Sequence, residues 1–423
     1  MPHSNSGLIR SWNNFLNAFR LAMDSIRAQK LRSFLTLLGV IIGVASVIMV
    51  GAAIEGLSVY AEQSTAKAFG SESLLVAQIA ATGRLSRREL FDKLKRNKPI
   101  RTGDARFLES FAGDRVLYSP YRQHISDVKR ENLICEDSSV LGAASAMSNI
   151  RDIGVVDGRF FTEQEERSAQ PVAVIGSEVG ATLFPTTDPL GHMVTIKGLA
   201  FTVVGVVEKL GSAFGNNQDN VAYIPFPVYS RIYGFGQSIA IFGRSRPGTN
   251  LSVESALDMT RVALRTRFHA RPGHSDRFDS LTPEAMQGFI NQLVGMISAV
   301  VVPVTLISLV VGGIVIMNIM LVSVTERTRE IGVRRSLGAR QKDIRRQFLI
   351  EAVILAGLGG AMGVAVGASL TLALAKLAGL TLTITVQYVL LGLATSASVG
   401  VVSGWFPARR ASRLDPVAAL RAE

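Results

Sequence analysis

Four stretches of this chain hold no charged residue: 22 residues between Arg32 and Glu55, 41 between Glu284 and Glu326, 24 between Glu351 and Lys376, and 32 between Lys376 and Arg409. A helix crossing the hydrocarbon core of a bilayer takes about 20 predominantly apolar residues, so each stretch is long enough to span one. Their apolar kernels are 34–54, 293–324, 352–375 and 386–406. Helices that are apolar on every side belong inside membranes or large cores, and no comparable run of strands accompanies these to build such a core. The sequence therefore predicts a membrane protein with four transmembrane α-helices, at 33–54, 291–324, 347–376 and 385–406. A cleaved signal peptide is the competing reading of the first kernel, but its apolar run is too long and begins too late.

Charge sets the orientation. Short cytoplasmic segments retain Lys and Arg. Residues 1–32 carry five basic residues and one acidic, 326–346 carry eight and three, and 409–423 carry four and two. Together these segments supply eleven of the chain's net +12 charges. The pI of about 10.1 is thus a topology signal, and nucleic-acid binding is not the reading it supports. Both termini are expected in the cytoplasm, with a large extracytoplasmic domain at 55–290 inserted between helices 1 and 2. That domain contains the single cysteine, Cys135, so no intrachain disulfide can staple it and an apolar core must hold it.

Ahead of the first span, Trp12, Phe15, Leu16, Phe19, Met23 and Ile26 recur at helical spacing among Arg20, Arg27, Lys30 and Arg32. The pattern reads as a cytoplasmic amphipathic helix over 1–32, lying on membrane lipids or against a cytoplasmic partner. The second kernel has 32 residues, about 48 Å as a helix, more than a hydrocarbon core requires. Leu57, Ala61, Ser64 and Ala68 extend the first span in the same way. A two-helix stalk follows, with Pro303 and the pair Gly312 and Gly313 as candidate kinks. Between the stalk helices the pattern turns to strands at 74–77, 133–135, 172–175, 193–196, 201–207, 221–224 and 238–242. Helices are expected at 102–111, capped by Thr102, and at 253–268. The domain is α+β. A basic excursion at 83–98 reads as a solvated face, with an anionic ligand site as the alternative.

Catalytic chemistry is not legible. The chain has no Gly-Lys pair, hence no P-loop. Ser177 stands one place early for a nucleophile elbow in Gly176–Gly180 and reads as a helix N-cap. His269 and His274 flank a loop with no cysteine nearby, so no metal site is expected. Nor does any span carry a deep ionisable residue, as a proton or ion pathway would; Glu351, near the inner end of the third, reads as an interfacial ion pair with Arg345 or Arg346. The third helix instead carries Gly359, Gly363 and Gly367 at spacings of four, widened by Gly357 and Gly360, where another backbone can approach closely. A packed bundle without a polar path suits the transmission of motion.

The loop after the second span runs Thr325, Glu326, Arg327, Thr328, Arg329, Glu330, Ile331, Gly332, Val333, Arg334, Arg335, Ser336, Leu337, Gly338, Ala339, Arg340, continuing to Asp343 and Ile344. Glu326, Glu330 and Arg334, at spacings of four, line one helical face, Arg327 can pair with Glu330 across a turn, and Gly338 ends the helix. This string, with 318–324 before it and 347–352 after it, resembles the signature of the FtsX-like permease superfamily and of its MacB-like branch in particular. The ending, Phe406 to Arg410 and Leu414 to Arg421, is similar to that branch, as is its first membrane segment at 30–50. Within the inserted domain, 157–162, 171–176, Phe184 with 188–191, and 201–206 resemble the MacB-type periplasmic core domain.

The resemblance implies a permease subunit of a type VII, mechanotransmission ABC complex in a bacterial inner membrane, acting as a homodimer or as half of a pseudosymmetric pair of permeases. Its coupling loop, 325–346, would dock through Glu326, Arg327, Glu330, Ile331, Gly332, Arg334, Leu337, Gly338 and Ala339 on a cytoplasmic ABC ATPase subunit. ATP and Mg2+ would belong to that subunit, this chain binding no cofactor and no metal and hydrolysing nothing. A fused ATP-binding cassette, which opens the full MacB architecture, is absent from the sequence, and the excursion 83–98 has no counterpart in the family pattern. Efflux with a periplasmic adaptor and an outer-membrane channel is the implied task. Lipoprotein release and control of cell-wall hydrolases use the same architecture, and a membrane-anchored sensor without an ATPase is the alternative from another class.

Overall fold

A computed structural model of the protein describes residues 30–70, 72–83, 85–213, 215–378 and 384–421. The amphipathic segment expected ahead of Lys30 lies outside them. The chain forms two compact units, one of residues 60–292 and one of the segments on either side. Helix α1 (Lys30–Phe69) leads into the inserted unit.

That unit contains β1 (Ser73–Ala77), α2 (Arg87–Arg96), α3 (Thr102–Ala112), the hairpin of β2 (Val116–Arg130) and β3 (Leu133–Ala143), α4 (Met147–Ile150), β4 (Val155–Gly158) and α5 (Glu163–Arg167). It continues through β5 (Val172–Ile175), α6 (Ser177–Leu183), β6 (Met193–Ile196), β7 (Leu199–Val207), the ribbon of β8 (Ser212–Ala213) and β9 (Asn216–Asn217), and β10 (Val221–Pro225). It ends with α7 (Phe226–Tyr233), β11 (Ala240–Ser245), α8 (Val253–Arg267) and β12 (Asp279–Leu281). Ten strands form one sheet in the order β12-β1-β11-β2-β3-β10-β5-β7-β4, with β6 bridging β2 and β7. The pairs β3/β10 and β5/β7 are parallel.

Alternating apolar residues seat helices on this sheet. Leu74, Val76, Tyr118 and Ile241 pack with Ala105 and Leu108 of α3 and Leu264 of α8. Val140, Ile175, Phe201 and Val203 pack with Val179 and Leu183 of α6 and Val228 of α7. Leu141, Val174, Val207 and Tyr223 belong to a third cluster, with Met147, Ile150 and Phe161. Each fully buried side chain of this size contributes about 1.5–3 kcal/mol. Cys135 is buried in β3, its Sγ donating to Asn220 Oδ1 at 3.3 Å.

The α+β expectation holds, and the strand read at 133–135 is the start of one running to Ala143. Its partner β2 escaped sequence reading because Arg122 to Asp127 is polar except for the exposed Ile125, so no period-2 signal survives there. Two caps are corrected. Thr102 is the first residue of α3, and the N-cap is Arg101, whose backbone N–H donates to Asp104 Oδ2 at 2.8 Å. Ser177 likewise lies inside α6, behind Gly176.

The remaining helices are α9 (Pro283–Glu326), α10 (Thr328–Ser336), α11 (Gln341–Ala378), α12 (Val386–Ser412) and α13 (Pro416–Arg421). Among the described residues four helices are long and apolar enough to cross a membrane, over 37–69, 283–326, 341–377 and 386–412. At 44 residues α9 is about 66 Å long, twice a hydrocarbon core and more. It is one continuous helix through Pro303, and Gly312 serves contact: a Cβ there would lie 2.9 Å from the Gly39 carbonyl carbon of α1.

Candidate coupling surface

The loop signature folds into a short helix clamped at the end of the membrane bundle. Helix α9 stops at Glu326, Arg327 leaves helical geometry, and α10 starts at Thr328. Glu326 and Glu330 therefore sit on two helices, and the single face expected to carry Glu326, Glu330 and Arg334 does not form. The far end is closed by Gly338 at φ +97, with the Gly338 N–H donating to Arg335 O (3.1 Å) and the Ala339 N–H to Arg334 O (3.1 Å). This pair of bonds satisfies the last carbonyls of the helix and needs a left-handed residue between them, which glycine supplies without strain.

Ile331 and Gly332 face inward and are buried; Ile331 joins Val324, Ile344, Phe348, Ala408 and Ala411 in the bundle's apolar cluster, with Ala339 and Leu414 packed beside it. Helix α13 packs on α10, and Arg335 donates to the Leu414 carbonyl just ahead of it. Arg334 donates to Gln347 Oε1 at 2.9 Å and pairs with Glu330. Arg327 lies 3.5 Å from the buried carboxylate of Glu351. That contact corrects the partner expected for Glu351, since Arg345 instead lies over the Trp405 ring at 5.5 Å. Exposed along α10 and its C-cap, at spacings of four, are Arg329, then Val333 at 42% exposure, then Leu337 at 82%, with Glu330 and Ser336 exposed beside them. The expected docking residues thus divide by role. Ile331, Gly332, Arg334 and Ala339 fix the helix, while Leu337 and Glu330 point outward with Val333. Val333 and the clamp from Leu414 and α13 were missed by sequence reading; the spacing of 329, 333 and 337 is the signal that could have found the first.

The glycines of α11 lie where the spacing put them. A Cβ on Gly359 would come 3.1 Å from Val40 Cβ, on Gly363 2.8 Å from Val44 Cβ, and on Gly367 3.0 Å from the Ala45 backbone and Ile48 Cβ, all of α1. Gly360 belongs to another seam, towards Ser396 of α12, whose hydroxyl donates to Ala356 O. A Cβ on Gly357 would meet no atom of another helix within 4 Å, so this glycine widens neither surface. Among the described residues no cluster of His, Cys, Asp and Glu could hold a metal ion.

The pattern of the MacB-like periplasmic core domain matches residues 33–265, and that of the FtsX-like permease C-terminal domain matches 303–416. The chain belongs to the MacB-like, FtsX-like family of ABC transporter permeases. It is 35% identical over 415 residues to the macrolide export ATP-binding/permease protein MacB of Rhodospirillum rubrum, covering 97% of this chain and 61% of that one. It is 31% identical over 421 residues to the uncharacterized ABC transporter permease YknZ of Bacillus subtilis, covering 97% of this chain and all of that one. The chain thus spans about three fifths of the MacB relatives it matches. The crystal structure of the periplasmic region of MacB from Actinobacillus actinomycetemcomitans is similar over 53% of this chain and 94% of that one, with 15% identity and a TM-score of 0.42. The family is that of multi-pass membrane permeases, with the MacB-type domain inserted between the first two spans.

Proposed function

We propose that this family member is the permease subunit of a type VII ABC complex, a paired permease whose α10 docks on an ABC ATPase carried by another chain. The observation that carries the reading is the divided surface of α10: an inner side locked by Ile331, Arg335 and α13, and an outer strip of Arg329, Val333 and Leu337 that is exposed among the described residues. A lever needs both a rigid mount and a grip. The lack of a P-loop supports ATP and Mg2+ being held by the docked subunit, and the match along the full length of the ABC transporter permease YknZ is consistent with it. The basic segments 1–32, 326–346 and 409–423 support a cytoplasmic placement for both termini and α10 in a bacterial inner membrane.

The step in which nucleotide closes the ATPase pair would push on α10, and α9 and α1 are the two chain connections through which the push reaches the inserted domain. Export of a substrate taken up outside the inner membrane, with a periplasmic adaptor and an outer-membrane channel, is the task we assign; among the described residues the buried polar side chains of the four long helices are Ser64, Thr65, Thr305, Glu351, Thr371, Ser396, Ser403 and Ser412, with Glu351 the one ionisable group, which is a scattered set and not a continuous hydrophilic conduit. The test is copurification of the chain with its ATPase. Leu337→Asp puts a charge at the most exposed end of the strip and Glu330→Lys sets a like charge against Arg334. Each should weaken association about tenfold or more while membrane insertion stays normal. Unchanged association in both variants would remove the coupling assignment.

A further inference from the structure

Arg327 is the joint between two helices. Its backbone N–H donates to Ser323 O of α9 at 3.1 Å, and its carbonyl accepts from the Ile331 N–H of α10 at 3.0 Å. With φ −102 and ψ 16 the residue itself belongs to neither helix. Its side chain turns to the third span, Nη1 lying 3.5 Å from Glu351 Oε1 of α11. About two turns further along α10, Arg334 donates to Gln347 Oε1 at 2.9 Å. Gln347 and Glu351 are four residues apart and share one face of α11. Helix α10 is therefore fastened to α11 at both ends, with Ile331 packed between the fastenings in the cluster of Ile344 and Phe348. The charged fastening is the one at the joint.

Among the described residues Glu351 is the one ionisable side chain buried in the bundle. Burying such a pair is a poor route to stability, because apolar side chains of similar volume hold a core as well or better. What the pair supplies is a fixed geometry. The carboxylate is 5% exposed and the guanidinium 28%, so the root of α10 cannot shift against α11 without leaving a buried charge behind. Further along, α11 bears on α1 through Gly359, Gly363 and Gly367, and α1 is the helix that leads into the inserted domain. A displacement of α10 thus has a second way out besides α9: through the ion pair into α11, and across the glycine seam into α1.

We propose that Glu351 is a positioning residue of the coupling helix: paired with Arg327, it makes α10 and α11 move as one, so that a push on α10 reaches α1 across the glycine seam. The proposal rests on the docking of α10 on an ATPase, and it moves Arg327 from the docking face to the mount. The experiment uses the full chain in lipid nanodiscs with its copurified ATPase, on a Cys135→Ser background. A nitroxide is placed on Ser369→Cys of α11 or, as control, on Val310→Cys of α9, both exposed positions. Trapping nucleotide with vanadate should change the spectrum at both sites in the parent. Glu351→Gln keeps the shape and removes the charge; it should cut the change at 369 about fivefold or more, while the change at 310 and the association with the ATPase stay within about twofold. Arg327→Gln should do the same, and the double variant should lose no more than either single one, since residues acting through one contact are not additive. A full response at 369 in Glu351→Gln would overturn the proposal, as would a parent whose label at 369 ignores nucleotide. Loss at both sites, or weakened association, would overturn it in favour of a pair that only holds the fold. A parent chain that brings down no ATPase would remove the docking of α10 itself, a result read before any spectrum is taken.

Discussion

The two units of this chain bury apolar surface by opposite means. In the inserted domain the contacts are made by large side chains, with Phe201, Tyr223, Ile175, Leu183 and Leu108 all but completely enclosed. In the bundle, helices approach one another closely where side chains are missing: Gly363 against Val44, Gly312 against Gly39, Gly400 against Ala356. The difference follows from the solvent. In water, burial of area drives folding, so the larger the enclosed side chain the larger the gain. In lipid, tails are as apolar as leucine, helix association gains nothing from hiding a side chain, and close backbone approach supplies the packing instead. Enlarging and truncating substitutions should therefore exchange their roles between the units.

Truncation in the domain gives the largest expected effect. Phe201 lies in the cluster formed with Val140, Ile175, Val203 and Leu183, and Phe201→Ala should cost about 3–5 kcal/mol, seen as a fall in the denaturant midpoint for proteolysis of the inserted domain. A loss below about 1 kcal/mol would mean that this core collapses around the gap and is not the rigid partner the comparison makes it. Enlargement in the bundle comes next. Gly363→Leu must displace Val44 and the Ile41 carbonyl, 2.8 and 3.0 Å from even the first added carbon, and should cost about 1–3 kcal/mol in the stability of the bundle in detergent. The domain's proteolysis midpoint should not move with it. A joint shift would show that the units unfold together.

How much of this was visible in the sequence also differs between the units. The bundle was legible because its signals are local: uncharged length marks the spans, and the four-residue spacing of Gly359, Gly363 and Gly367 puts them on one face whatever they touch. What spacing could not say is which neighbour each glycine meets, so Gly357 and Gly360 were grouped with the wrong seam. The domain yielded its short buried strands, where valine and isoleucine are dense, but not β2, whose pairing partners are supplied by β3 and β11 across the sheet and not by its own pattern. At the coupling surface the signature located α10, while the face it presents depends on the helix break at Arg327 and on the clamp by α13, both tertiary facts. Charge spacing placed Glu326 and Glu330 together, and a change of helix between them separated them.

A polar contact sharpens the contrast at smaller size. In the domain, Glu165 closes a capping box with Thr162 at the start of α5 and accepts two bonds of 2.7 Å from Arg159. The Arg159 guanidinium, ahead of the Thr162 backbone N–H, holds the Glu165 carboxyl down at about 2. A folded-state value below the ordinary 4.5 adds stability above pH 4.5 that is lost as the pH falls from there towards 2. Because Arg159 is half exposed, the expected cost of Glu165→Gln at pH 7 is about 1 kcal/mol or less. The gap between parent and variant in domain stability should shrink as the pH is lowered through 4 to 3. A gap that stays constant with pH would assign the effect to shape and capping, not to charge.

The smallest expected effect is also the most discriminating, because it sets one substitution against itself on one helix. Glycine in a helix interior costs about 0.5–1 kcal/mol relative to alanine, through the freedom it has to lose. At Gly357, where no atom lies within 4 Å of the added Cβ, that saving stands alone, and Gly357→Ala should stabilise the bundle by up to this amount. At Gly359, two residues on, the same methyl must sit 3.1 Å from Val40 Cβ and 3.2 Å from Val40 Cγ1, inside the usual separation of two carbons, so α1 has to retreat before the gain in helix propensity is realised. Gly359→Ala should therefore lower the thermal midpoint of the bundle in detergent while Gly357→Ala raises it. If both raise it, the glycines of α11 are not contact residues, and the bundle would be held by its larger side chains as the domain is.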